Sequence, residues 1–436
     1  MTIKTMQRLA AFIFALLVCL ATAAQKPRHE LKKNLRLSAS NFLAYPGPGG
    51  AVLTPSPKDK QPFYISHYGR HGSRNMGSTR EYDYAYDALR KAGEQDKLTP
   101  LGRDVLARLS KIRSEAIGRL GDLTPLGAEQ NRDIARRMME RFPEVFEDDA
   151  TIDARSTITP RTQLSMTNAL LQLVAMNPKL RVSCDAAYSQ TYLHYVDKEL
   201  AKKIQNPEGK KAYADYCERH QCWQRPMTAL FSDTAYLNHA VNGERLNYYI
   251  FRTASILQNA EARKHITLYD LFTDDEIYEN WLVQNAFWFM GYGFSPLNGD
   301  HQPFSQRFLL RQIIADADSC IQHPHPGATL RFGHDTALLP LVCLMDINGY
   351  GQVIGDLEQL VKKGWVDYRV FPMAANLQII FYRNAPHDSD VLVKVLLNEQ
   401  EATLPLPDKQ APYYRWADFR DHYLGIIDAF EQQQEQ

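Results

Sequence analysis

Three short apolar runs in this 436-residue chain share one sequel. Pro62 to Ser66 leads into Gly69-Arg70-His71-Gly72-Ser73-Arg74-Asn75. Thr151 to Ala154 leads into Arg155-Ser156-Thr157, and Thr329 to Phe332 into Gly333-His334-Asp335-Thr336. Each run reads as a strand, each sequel as a basic or histidine-bearing loop, and a helical pattern follows. Thr159-Pro160 opens one such helix, with an N-cap residue ahead of a first-turn proline and an apolar face of Leu164, Met166, Leu170, Leu171 and Val174. Ala337 to Met345 is another. Repeated strand–loop–helix passages constrain the fold to the α/β class, a mostly parallel sheet flanked by helices. In such sheets ligands bind beyond the carboxyl ends of the strands. If the three strands are neighbours, the three loops converge on one pocket.

The rest of the chain fits around that frame. Leu98-Thr99-Pro100-Leu101-Gly102 and Leu123-Thr124-Pro125-Leu126-Gly127 are the same pentapeptide, and both read as helix starts. Phe304 to Ile321 is a strongly amphipathic helix, His323-Pro324-His325-Pro326-Gly327 a turn, and Leu377 to Tyr382 and Val391 to Leu397 two late strands. Between 185 and 303 the pattern is helical and rich in tyrosine, as in Tyr192 to Ile204 and Tyr236 to Ala260. The expected organisation is an extended lead-in over 24–60, an α/β core from 61–184 and 304–436, and a mainly helical insertion over 185–303. The glycine-rich part of the lead-in has no Gly-Lys-Ser/Thr after it and is not a P-loop.

The N-terminus reads as an export signal over residues 1–23. Lys4 and Arg8 are a short basic region, Leu9 to Leu20 is almost wholly apolar, and Ala21-Thr22-Ala23 is a small-residue cleavage site. The apolar stretch is short for a membrane span, and no later stretch is a candidate, so no transmembrane span is expected. The expected location is periplasmic or secreted. Formal charge is zero over the whole chain, so no basic surface points to nucleic acid, and attraction for an anionic ligand must be local. In an exported chain Cys217 and Cys222 could close a small loop; equally, all the cysteines could be buried thiols. Their spacing fits no zinc template, and neither a metal nor a cofactor is expected.

The three loops carry a coherent chemistry. Arginine grips phosphate oxygens through a planar fork of charged donors, so Arg70, Arg74 and Arg155 form a candidate clamp. His71 lies inside it and is the candidate nucleophile, kept neutral by the surrounding positive charge. His334 is placed to donate to the phosphate. Asp335 is the candidate general acid for a leaving alkoxide, or else a cap on the helix that follows. An ordinary aspartate is ionised at neutral pH, so activity should favour acid pH unless its pKa is raised.

Taken in order, Arg70-His71-Gly72-Ser73-Arg74, Arg155-Ser156-Thr157 and His334-Asp335 resemble the motifs of the histidine acid phosphatases, over residues 62 to about 400. Arg331-Phe332-Gly333-His334 with Ala337 to Leu341, Ala374-Ala375-Asn376-Leu377 and Leu396-Leu397-Asn398-Glu399 are similar to the multiple inositol polyphosphate phosphatase branch. The resemblance implies a phosphohistidine on His71, a small phosphorylated substrate of the phytate type, and no metal. Two departures stand out. The branch commonly reads His-Ala-Glu where this chain has His334-Asp335-Thr336, a form similar to bacterial phytases and general acid phosphatases. Asn75-Met76 replaces the usual aromatic-proline pair. Alternative expectations are a less selective acid or sugar-phosphate phosphatase and, with both nucleophile and acid present, more remotely a non-catalytic phosphate-binding protein.

Overall fold

A computed structural model of the chain describes residues 26–407 and 411–435. The export signal expected over 1–23 lies outside the described residues. Eight strands form one sheet: β1 (Gln61–Arg70), β2 (Thr151–Ser156), β3 (Arg181–Asp185), β4 (Gly327–Gly333), β5 (Asn376–Arg383), β6 (Leu392–Leu397), β7 (Gln400–Glu401) and β8 (Tyr414–Arg415). Their order is β3-β2-β4-β1-β5-β6-β7, with β8 against β6. The three strands that precede the candidate loops are therefore immediate neighbours, β2-β4-β1. They pair in parallel, as does β3 with β2, so their carboxyl ends lie at one edge. From β5 onward the pairings are antiparallel. The sheet is thus mixed, and parallel only in the half that carries the loops. The short link from β5 to β6 leaves no room for a crossover, which dictates an antiparallel pair.

Side-chain alternation along the strands builds a core on each face. Ile65, Ile152, Ala154, Leu330, Phe332 and Ile380 face the helices Pro125–Arg141 and Pro160–Met176. Tyr64, Tyr68, Leu377, Ile379 and Phe381 face the opposite way, toward Arg307–Ile321, Asp335–Leu344 and Trp416–Glu435. Residues 191–298 are built of helices, and Leu246, Ile250 and Trp281 from them join this second core without a break. Tyr192 to Ile204 and Tyr236 to Ala260 are each divided into shorter helices, the second at Val241-Asn242, where Asn242 caps the new helix.

Two expectations need correcting. The lead-in is not extended throughout: residues 26–33 are helical and Leu35–Phe42 form a 3₁₀ helix, with Leu31, Phe42 and Leu43 buried in the core. The helix Pro160–Met176 also presents a different face. It buries Thr162, Ser165, Met166, Ala169, Leu170 and Leu173, while Leu164, Leu171 and Val174 remain exposed. Its orientation follows polar contacts: Ser165 Oγ accepts from Gly72 N at 3.0 Å, and Thr162 Oγ1 lies 2.6 Å from Thr157 Oγ1.

The repeated pentapeptide is one solution used twice. Thr99 and Thr124 each cap a helix by accepting from the glycine three residues on, with proline in the first turn. Each glycine permits a backbone contact. A Cβ on Gly102 would lie 2.1 Å from Leu230 O, and one on Gly127 would lie 2.2 Å from Ser73 O. Gly72 presses on the same helix start, where a Cβ would meet Gly127 O at 2.3 Å. It is needed for this helix contact, at a φ that any residue can adopt. Gly127→Ala must push the Ser73 backbone away, and overpacking of this kind costs about 1–3 kcal/mol. The urea midpoint of unfolding should fall accordingly, whereas alanine at the helical Gly291, where a Cβ meets nothing within 4 Å, should leave it unchanged or raise it.

Candidate active site

β1 ends at Arg70, whose side chain is wholly buried. Its Nη2 lies 2.8 Å from Asp335 Oδ2, and its Nη1 donates to Phe371 O at 2.6 Å. The backbone on either side is locked, Arg70 N to Ala375 O at 2.8 Å and His71 N to Gly333 O at 3.0 Å. His71 therefore stands at a fixed height above the junction of β1, β4 and β5. Its Nδ1 is 2.9 Å from Gly72 O and donates to it, which leaves the Nε2 lone pair free. The imidazole is held well below its ordinary pKa, first by burial and then by the charges of Arg70, Arg74 and Arg161, with His334 adding to them. It is neutral, the form a nucleophile requires.

His334 and Asp335 sit where β4 gives way to the helix Asp335–Leu344. The His334 ring meets that of His71 edge-on at 5.6 Å between centroids, and its Nε2 is 3.2 Å from Thr157 Oγ1. Burial, with Arg161 next, lowers its pKa to about 4. Asp335 is buried, which by itself would raise its pKa. Arg70, Arg74 and a hydrogen bond from Asn41 Nδ2 at 3.2 Å outweigh that and hold the carboxyl below the usual range. Asn41 is aimed by a left-handed corner at Ser40, φ 54°, whose hydroxyl donates to the buried Asp367. Asp335 is the first residue of that helix, after the N-cap His334, and also accepts from Thr336 N at 3.0 Å.

Five of the six residues expected from the sequence come together: Arg70, His71, Arg74, His334 and Asp335. Arg155 does not. β2 runs on to Ser156, two residues beyond the expected end, and this leaves Arg155 on the sheet face rather than in the loop. There it pairs with Asp153 at 2.9 Å, two residues back on the same face, and with Asp185 of β3 at 3.7 Å. Its place is taken by Arg161, the second residue of the helix Pro160–Met176. Like charges press on this group: burial and neighbouring cations bring Arg70 and Arg161 each down to about 10. Nε of Arg70, of Arg74 and of Arg161 is buried in each case with no acceptor. Three cations with unspent donors around a neutral histidine make a receptor for a multiply charged oxyanion.

Arg161 had a signal in the sequence. A cation in the first turn of a helix opposes the macrodipole, and local conflicts of that kind mark functional positions. Asn41 had none, because it reaches the site across 294 residues of chain.

The sequence model described as histidine phosphatase superfamily (branch 2) matches residues 69–398. No curated protein matches the chain by sequence. Among solved structures, the fold is similar to that of multiple inositol polyphosphate phosphatase from Bifidobacterium longum in complex with inositol hexasulfate. That match has a TM-score of 0.74 and 17% identity over 88% of this chain and 97% of that one. The phytase from D. castellii matches with a TM-score of 0.63 and 13% identity, over 90% of this chain and 85% of that one. Hafnia alvei phytase in its apo form matches with a TM-score of 0.51 and 12% identity, over 86% and 98%.

The charges around His334 set a measurable expectation. In the free protein its ring should titrate by NMR with a midpoint at about 4. The midpoint should rise when tungstate binds, because an anion cancels the arginine charge that favours the neutral ring. A midpoint near the ordinary histidine value in the free protein would contradict the packing described.

Proposed function

The chain belongs to the histidine phosphatase superfamily (branch 2) and is a phosphomonoesterase, and on that premise we propose that it hydrolyses inositol polyphosphates through a phosphohistidine on His71, as an exported enzyme. The observation that carries the mechanism is the set of buried, unspent donors of Arg70, Arg74 and Arg161 around a neutral His71. The inositol class is supported by likeness of fold to an inositol polyphosphate phosphatase and by the motifs of the C-terminal half. Export is supported by the basic, apolar and small-residue pattern of residues 1–23.

In this reading the substrate phosphate enters the arginine cradle with its equatorial oxygens on the guanidinium donors. His334 supplies a further contact. Nε2 of His71 attacks phosphorus; the N–P bond forms as the bond to the leaving oxygen breaks in line with it. Asp335 gives its proton to that oxygen. In the second half the Asp335 carboxylate takes a proton from water, whose oxygen attacks phosphorus and displaces His71. Catalysis is chiefly positioning and charge stabilisation. The acid begins with the wrong protonation state, since Arg70 and Arg74 hold Asp335 ionised in the free protein. A bound phosphate dianion reverses this: it spends the arginine charge and adds negative charge beside the carboxylate, so the pKa rises on binding. Turnover therefore needs protonated Asp335 in the complex, and kcat should fall as pH rises through that raised value.

Three variants separate the roles. His71→Ala should lose phosphate release from phytate by about a thousandfold or more, and acid quenching should trap phosphoprotein only in chains that keep His71. Asp335→Asn should lower kcat on phytate by about 10²–10⁴-fold but far less on 4-nitrophenyl phosphate, whose leaving group needs no proton. Arg161→Ala should depress kcat/KM strongly and Arg155→Ala only slightly; the reverse order would restore Arg155 to the clamp.

A further inference from the structure

The segment Leu35–Phe42 lies outside the sheet, yet it touches the centre with two successive residues. Asn41 Nδ2 donates to Asp335 Oδ2 at 3.2 Å. The guanidinium of Arg74 lies 5.7 Å over the Phe42 ring, and Phe42 O accepts from Asn259 Nδ2 at 2.7 Å. Asn259 in turn accepts from Ser73 Oγ at 2.6 Å, so the segment is locked to the loop that carries Arg74. Just ahead of these contacts stands Ser40, at φ 54° and ψ −124°. A residue with a side chain rarely adopts that conformation, and it persists only where the surroundings impose it. Here the anchor is Asp367, a buried carboxyl that accepts from the Ser40 hydroxyl and, at 2.9 Å, from Trp281 Nε1. Its own backbone N donates to Asn285 Oδ1 at 2.9 Å. Neutral donors satisfy this carboxyl; no cation among the described residues pairs with it. Backbone strain and a buried carboxyl are both costs, and they meet at the residue before Asn41.

The surroundings of Asp335 show what those costs secure. Arg70 Nη2 and Asn41 Nδ2 both approach Oδ2, at 2.8 Å and 3.2 Å. Oδ1 has the Thr336 amide at 3.0 Å and keeps a lone pair. A proton is unfavourable on an oxygen that already faces a guanidinium and an amide N–H, so protonated Asp335 carries it on Oδ1. We propose that Asn41 is a positioning residue that keeps the transferable proton of Asp335 on Oδ1, and that the clasp between Ser40 and Asp367 holds Asn41 to this task. The proposal rests on the reading of Asp335 as the acid. The O–H bond at Oδ1 breaks as the bond from phosphorus to the leaving oxygen breaks, and the proton passes to that oxygen. Without the Asn41 amide, Oδ2 regains a lone pair, and the proton divides between two oxygens of which one serves the leaving group.

Two esters with different leaving groups test this in the full enzyme. Asn41→Ala should lower kcat/KM about tenfold on glycerol 2-phosphate, whose alkoxide must be protonated, and less than about twofold on 4-nitrophenyl phosphate. That parameter covers the steps from free enzyme to cleavage of the ester, and a general loosening of the site would lower both values alike. Loss of a donor to the carboxylate also raises the pKa of Asp335, so the pH above which kcat on glycerol 2-phosphate falls should move upward. The charged and titratable groups around that carboxyl are Arg70, Arg74, Arg161, His334, Tyr68 and Tyr292, and the substitution leaves them all in place. Asp367→Asn should give a smaller loss of the same selectivity and add little to Asn41→Ala in the double variant. If that variant does not fold, Ser40→Gly keeps the backbone conformation, removes the hydroxyl and should show the same selective loss. Equal losses on the two esters in Asn41→Ala, an unmoved pH limb, or full activity would overturn the proposal. Failure of the underlying reading looks different: Asp335→Asn itself would then lower both esters alike.

Discussion

The ion pair between Arg70 and Asp335 organises this molecule. A guanidinium with no exposure at all cannot stay charged without partners, and removal of one member of such a pair typically costs about 3–5 kcal/mol. Arg70 therefore adds a side-chain tie where the sheet already brings segments together: the end of β1, the first turn of the helix Asp335–Leu344 that follows β4, and the Phe371 carbonyl ahead of β5. Trp288 packs on Phe371 at 4.9 Å between ring centroids, which extends the same tie to the helix Asp274–Tyr292. The proposed nucleophile follows Arg70 by one residue, and the proposed acid is its counter-ion. The constraint that makes the interior tolerable is also the one that sets the distance between the two halves of the chemistry.

Burial and the same charge together set the protonation states of the free site. Burial first, and then the cations crowded beside them, favour neutral imidazole at His71 and His334, and the cations favour carboxylate at Asp335. In the proposed mechanism His71 is thus in its reactive form before substrate arrives, while Asp335 is not. Binding of an anion changes the sign of the field at the carboxylate, so in the proposed mechanism the substrate itself prepares the acid. This division explains how one cluster serves two groups that need opposite states.

Most of the site was legible because it lies at the ends of strands that the residue pattern identifies. Arg70, His71, Arg74, His334 and Asp335 are close to strand termini in sequence, and parallel neighbours bring such termini to one edge. Arg155 was misplaced by two residues of strand length. Since strand side chains alternate, an error at a strand end moves a side chain from a pocket to a sheet face. The face of the helix Pro160–Met176 was misjudged for a related reason. Leu164 and Leu171 form an apolar stripe, yet hydrogen bonds from the phosphate loop to Ser165 and from Thr162 to the β2 loop fix the rotation. Sequence periodicity weighs burial and cannot weigh a polar bond to a residue 93 positions away. The early segment shows the same limit, for its polar and glycine-rich composition gives no hint that Asn41 reaches the acid.

That contact has a consequence for biosynthesis. Residue 41 emerges from the ribosome long before residue 335, and the contact between them spans 294 residues of chain. The arginines of the cradle are complete by residue 161, yet their counter-ion arrives more than a hundred residues later. A nascent or truncated chain would hold crowded cations with no carboxylate among them, and such a core is unstable. Assembly of this charge cluster is therefore coupled to synthesis of the C-terminal half, since a chain cut before residue 335 lacks the carboxylate that pairs with Arg70.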